Sequence, residues 1–372
     1  MLSPFGIDSS ENNKLEVSFQ FTQPIPAESG STEKVEPILN TVTSSSISNA
    51  INLVNSYLGK SINLSHCKVI IISEKLAMQG ISEEIYTLIN DTQIRPSTNI
   101  IVSKCTAKYY LTETKPEMEN LISKYYETFT ASSKFVGYMP NATIGNFFNS
   151  LSSNTCEPYA ILGGINKEQQ KNTNEFNSQK DYTIKASESS IQGENNAENI
   201  GVAVFKNDKL VGELNGLETI SFLNIRNDLN RFLISIPDPS DENNYLDIYM
   251  SPVNKVKIKI DTSTTTPYIK LKFKLSGRIY SISENTKNLS TNSLAMISDS
   301  CNKYLETIFL EYLYTTSKNL KSDINALGNY ALSNFFTTTD FENYNWLENY
   351  QNAFFDVEVD SSVKSGMLLT GN

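Results

Sequence analysis

One histidine, His66, and four cysteines, at 67, 105, 156 and 301, are the whole stock of soft metal ligands and thiol or imidazole nucleophiles in this 372-residue chain. A Ser–His or Cys–His mechanism needs a base held beside its nucleophile, so His66 would have to carry it alone. No GxSxG, GxxxxGK[ST] or GxGxxG pattern occurs. Gly163-Gly164 ends an apolar run, but no helix start follows it to cradle a phosphate. The carboxylate pairs Glu83-Glu84 and Asp241-Glu242 sit in polar surroundings, whereas a glycosidase acid needs an apolar cleft. The cysteines form no CxxC and no close pair, and Cys67 and Cys105 border apolar runs as small buried thiols do. His66, beside Cys67, reads as a residue at the mouth of a strand. These residues predict no catalytic residue, no metal site and no cofactor, so the chain is expected not to be an enzyme. No ligand-binding residue can be assigned.

Charge removes another class. The formal net charge is -10 and the isoelectric point about 4.9, while nucleic-acid affinity comes mainly from cations that neutralise phosphates. The densest basic group is Lys255, Lys257 and Lys259, alternating along a predicted strand as one solvated face. No run approaches the roughly 18 apolar residues that a membrane-spanning helix needs.

Hydrophobic residues make up 39% of the chain, enough for real cores, and its length suits two or three domains. Leu15–Thr22 alternates Leu15, Val17, Phe19 and Phe21 against polar residues, predicting a half-buried strand. Ile47, Ala50, Ile51, Val54 and Leu58 recur at helical spacing behind Ser and Thr caps and before Gly59. CKVIII from Cys67 and NIIVSKC from Asn99 are continuous apolar runs, as in strands covered on both faces. Helices are predicted at Glu117–Ala131, with Met118, Leu121, Ile122, Tyr125 and Phe129 on one side, and at Thr143–Leu151. After the strand YAILGGI, residues 166–199 are polar and read as a loop or hinge. A hairpin turning at Asn207-Asp208 opens the last part. A short helix, a meander of strands ending in YIKLKFKLSGRIYSI, and a long helix from Ser293 follow. A further helix is expected from an N-cap at Ser322, with Asp323 in its first turn and Gly328 close to the long helix. Phe354–Val359 is predicted as a closing strand, with Gly366–Leu369 as its partner. The expected division is an α/β domain over residues 1–113, a middle domain with a polar hinge over 114–200, and an α+β domain over 201–372. That last domain is an antiparallel sheet with a long helix laid on it.

Several segments together resemble the Ger(x)C family of spore germination lipoproteins. Phe5-Gly6-Ile7-Asp8 with LEVSFQF is similar to the family's opening strand, and the stretch from Leu64 to Ala77 to its strand-to-helix passage. Gly201 to Gly212 resembles its hairpin, and Asn215-Gly216-Leu217-Glu218-Thr219 the continuation. Asp323 to Gly328, then Trp346 and Phe354–Val359, resemble its C-terminal signature. The resemblance implies a three-domain fold, each domain a β-sheet packed with helices. It also implies the C subunit of a nutrient germinant receptor, an accessory that assembles with the integral-membrane A and B subunits. A lipidated N-terminal cysteine would anchor it to the outer face of the spore inner membrane. That cysteine and its signal peptide are absent here, and the start at Phe5-Gly6-Ile7-Asp8 in mid-motif leads to the expectation that both lie upstream. The isolated chain is expected to be a monomer. The alternative is an extracytoplasmic module that holds a small ligand, with residues 166–199 as its hinge.

Overall fold

The computed structural model describes residues 2–21, 37–119, 122–129, 132–166, 183–191, 193–239, 241–281 and 291–365. Eight strands form the first sheet: β1 (Leu2–Ser9), β2 (Leu15–Phe21), β3 (Ile38–Ser44), β4 (Val69–Ser73), β5 (Asn99–Ser103), β6 (Tyr159–Ile165), β7 (Ala197–Lys206) and β8 (Lys209–Leu214). Their order is β3-β2-β1-β4-β5-β6-β7-β8, with β1, β4, β5 and β6 parallel and both flanks antiparallel. The β7–β8 hairpin turns at Asn207-Asp208, where Asn207 takes φ 53°, and it continues this first sheet rather than the second.

The continuous runs in β4 and β5 explain why the sheet is covered on both sides. Ile70, Ile72, Ile100 and Val102 face one core, which holds α1 (Ile47–Leu58), α2 (Glu74–Gln79) and α3 (Ser82–Asn90). Val69, Ile71 and Ile101 face the other, with α4 (Ala107–Glu113), α5 (Ile122–Phe129) and α6 (Ser133–Val136) near it. The next helix, α7 (Ile144–Leu151), sends Ile144 and Phe147 back into the first core. Each fully buried Ile or Val contributes about 1.5–3 kcal/mol, so this ladder anchors the half.

The second core runs on into the rest of the chain. Helix α8 (Gly216–Arg226) is buried along most of its length, which suits a helix packed on more than one side. It opens with a reciprocal cap: Glu218 N–H donates to Asn215 Oδ1 and Asn215 N–H to Glu218 Oε2, both at 2.9 Å. The Asn-Gly-Leu-Glu motif is therefore a helix start. The second sheet holds β9 (Phe232–Asp238), β10 (Asp241–Pro252), β11 (Lys257–Asp261), β12 (Tyr268–Ser281) and, after the helices, β13 (Phe354–Lys364). Between β12 and β13 come α9 (Thr291–Tyr314), with a π-helical turn over Thr315–Asn319, then α10 (Gly328–Ala331), α11 (Thr338–Tyr344) and α12 (Trp346–Asn349). Strand β13 pairs in parallel with β12, from Tyr268↔Phe354 to Arg278↔Lys364. The expected partner at Gly366–Leu369 lies outside the described residues.

The free edge of β13 is closed by a helix. Ser298, Asn302 and Glu306 recur every four residues along α9, so they line one face of it. Their side chains accept from the N–H groups of Val363 (3.1 Å), Ser361 (2.9 Å) and Val359 (3.0 Å). Alternate strand amides meet successive helical turns, and an edge that would otherwise offer donors to another strand is occupied.

Two expectations are corrected. Ser322 does not cap a helix; its hydroxyl donates to the carbonyl of Phe205 at 2.6 Å, and the helix begins at Gly328. Met118, expected on a helix's apolar side, precedes α5 and is 95% exposed.

Candidate functional site

A groove of about 640 Å³ lies between the segment around α5 and α6 and the stretch leading into β7. Met118, Tyr125, Val136, Tyr138, Ile191 and Ile200 are among its walls. Two of its carboxylates, Glu117 and Glu198, hold neighbouring backbone. Glu117 Oε1 accepts from Glu194 N–H at 2.6 Å and from Asn195 N–H at 3.3 Å, which ties the two walls together. Glu198 accepts from Asn166 Nδ2 (2.8 Å), Ser187 N–H (2.9 Å), Ser189 N–H (3.4 Å) and the Ser189 hydroxyl. Asn166 and the Ser187–Ser189 segment are thus fastened to β7 by one buried side chain. Such a groove can bind by shape and apolar contact. Among the described residues its walls hold no histidine or cysteine to serve as base or thiol nucleophile.

A second cluster lies where β6, the β7–β8 turn and the segment after α9 meet. Asp323 is 1% exposed. Its Oδ1 accepts from Leu327 N–H at 3.1 Å, and its Oδ2 from Gly328 N–H and Trp346 Nε1, both at 2.9 Å. Burial pushes its carboxyl up to about 6 against these bonds, with the Arg226 charge also opposing. Glu157 accepts from Asn207 N–H at 2.6 Å, and its own N–H donates to the carbonyl of Asp323 at 2.9 Å. Burial pushes Glu157 up to about 7, with Asp323 and Glu348 adding to the shift, while the Asn207 N–H and Lys206 pull it down. Gly328 is required by contact. A Cβ there would lie 2.3 Å from the carbonyl oxygen of Thr155 and 2.7 Å from the Trp346 indole, so its close neighbours are these and not α9.

The other singled-out residues lie elsewhere. His66 is exposed, in the turn before β4. Gly163 and Gly164 have no space for a side chain: a Cβ would meet Ile101 at 2.5 Å and Ser187 Oγ at 2.0 Å, so they are packing glycines. Glu83 and Glu84 open α3, and burial raises Glu84 above the usual carboxylate range. Asp241 and Glu242 fall where side chains are outside the described residues. All four cysteines are free, and burial pushes the Cys67 and Cys301 thiols up to about 12. Among the described residues, no group of three or more His, Cys, Asp or Glu could hold a metal, and no helix is long and apolar enough to cross a membrane. Sequence reasoning missed Glu157, which sits alone in a polar stretch, and Glu198, whose partners lie in the presumed hinge.

Residues 2–164 match the model of the spore germination protein N-terminal domain. Residues 200–366 match that of the spore germination B3/GerAC-like C-terminal domain. The chain belongs to the Ger(x)C family. This Ger(x)C chain also superposes on the crystal structure of the GerBC protein with a TM-score of 0.53 at 16% identity, covering 96% of each chain, which shows a shared fold. No curated protein matches it by sequence. The mixed α and β architecture expected for Ger(x)C, β-sheets packed with helices, is present, and the described residues form two such sheets. Asp323, Gly328 and Trp346, the C-terminal signature residues, form one packed cluster in this Ger(x)C protein.

Proposed function

We propose that this chain is the C subunit of a nutrient germinant receptor, a non-enzymatic accessory that assembles with the integral-membrane A and B subunits. In this reading it stands on the outer face of the spore inner membrane, held by a lipidated cysteine encoded upstream. The two consecutive germination-protein matches, over 2–164 and 200–366, carry the reading. A structural role is further supported by the buried carboxylates. Asp8 accepts from the N–H groups of Ala107 and Lys108, and Glu157, Glu198 and Asp323 likewise hold backbone. The tether rests on the family resemblance, and a stable one needs more than a single acyl chain.

In-frame deletion of the gene should abolish germination with one nutrient while spores still respond to a nutrient-independent trigger. A tagged chain should co-purify with two integral-membrane proteins from detergent-solubilised spore membranes. Normal nutrient germination in the deletion strain, or isolation of the tagged chain alone, would sink the proposal.

The 640 Å³ groove favours a second reading, that the chain itself holds a small ligand. Thermal unfolding with a panel of amino acids and sugars decides it: a ligand at 100 times its Kd adds about 2.7 kcal/mol and raises the midpoint. Flat midpoints across the panel reject this reading and leave the first intact.

A further inference from the structure

We infer that the outer face of the second sheet, at the β11–β12 end, docks on an anionic lipid bilayer through its lysines. Residues 257, 259, 270, 272 and 274 alternate with buried Ile269, Leu271, Phe273 and Leu275 and with half-buried Ile258 and Ile260, so all five lysines project from one side. Lys255, also exposed, stands two residues before β11. Register sets Lys257 opposite Lys272 and Lys259 opposite Lys270.

Like charges facing each other across strands oppose sheet formation. Part of that cost is offset from the far side of β12. Lys270 pairs with Asp356 at 2.5 Å, and Lys272 with Glu358 at 2.6 Å. Among the described residues no ion pair joins Lys255, Lys257, Lys259 or Lys274. Asp360, opposite Lys274, and Asp261, at the end of β11, also lie on this side. Six lysines thus meet four carboxylates (Asp261, Asp356, Glu358 and Asp360), so a chain with net charge -10 gathers a net excess of cations here, centred on Lys255, Lys257 and Lys259.

Lipid headgroups fit this chemistry better than a fixed anion. A lysine column on one strand repeats about every 7 Å, on flexible stems that suit a fluid surface of phosphates. Tyr268 and Phe354 lie opposite each other at one end of the same face, 47% and 58% exposed. Aromatic rings beside cations are the usual residues of a membrane–water boundary. The inference extends the proposed membrane-tethered reading: a lipid anchor would hold the protein near the bilayer, and this face would orient it.

The test uses the chain without any lipid anchor, so its outcome is separable from that of the tether and of the receptor assignment. Sedimentation is measured with vesicles of phosphatidylcholine alone and of phosphatidylcholine with phosphatidylglycerol, at low and physiological salt. Binding should require phosphatidylglycerol and weaken as salt rises, because screening shortens to about 8 Å at 0.15 M. The variant K255E/K257E/K259E should bind at least about tenfold more weakly. The control K14E/K60E/K75E makes the same change in net charge at exposed sites on other elements and should stay within about threefold of wild type. Unchanged melting of both variants shows that the fold is kept. Equal losses in the two variants, equal binding to neutral vesicles, or no anionic binding at low salt would each overturn the inference. So would competition-proof binding to polyglutamate with none to vesicles, which would assign the face to an acidic protein.

Discussion

The indole N–H of Trp346 donates to Oδ2 of Asp323 across 2.9 Å, and both residues are 1% exposed. That bond ties the segment after α9 to α12, and the same carboxylate oxygen receives Gly328 N–H. Asp323 is a three-donor clamp, which a first-turn, solvent-facing aspartate would not be.

Asp323→Asn should therefore be costly. An amide keeps one acceptor oxygen, so whichever way it turns, its NH2 faces a donor: Leu327 N–H on one side, or Gly328 N–H and Trp346 Nε1 on the other. An unsatisfied buried donor costs about 1–3 kcal/mol, and denaturant unfolding should show that loss. A melt equal to wild type would refute the clamp.

Gly328→Ala should destabilise by at least about 1–3 kcal/mol, the usual cost of overpacking. The added methyl meets a backbone carbonyl and a buried indole, neither of which can swing aside. Chemical denaturation of Gly328→Ala beside Gly212→Ala checks this. At Gly212 the closest atom is the far end of Leu320, which can move, so the loss there should be smaller.

Glu157 should make stability fall as pH rises. Its folded value of about 7 lies above the ordinary 4.5, so the folded state holds its proton through a range where the unfolded chain releases it. Its contribution is complete below about pH 4.5 and is lost by about pH 7, a difference on the order of 3 kcal/mol. Glu157→Gln keeps an oxygen for Asn207 N–H and should flatten the decline between pH 5 and 7. Urea midpoints measured at half-unit steps test it; an unaltered slope in the variant would exclude Glu157 as the source.

Asn302→Ala should loosen the β13 edge without unfolding the chain. Ser361 N–H would lose its acceptor while Val359 and Val363 keep theirs. Hydrogen exchange should speed at Ser361 by about tenfold or more, the factor that 1.4 kcal/mol of local opening confers. Uniform acceleration along β13 would point instead to loss of the whole α9 contact.

Local pattern alone determined a large part of this protein. The β-branched runs of β4 and β5 could only be strands covered on both sides, and alternation in β12 marked one wet face, because side-chain direction follows backbone period. The Asn207-Asp208 turn and the long helix α9 were legible for the same reason. Which strands pair was not legible. Pairing of β6 with β7, and of β12 with the distant β13, depends on chain segments far apart in sequence that meet in one core. The buried cluster was equally hidden. Asp323 has the local setting of a first-turn helix residue behind a Ser322 cap, and only the arrival of Trp346, Thr155 and Glu157 from other elements turns it into a desolvated clamp. Lys257 and Lys259 read as a solvated strand face, and so they are. Their opposition to Lys272 and Lys270 is a matter of register, which tertiary packing sets and a single strand does not record.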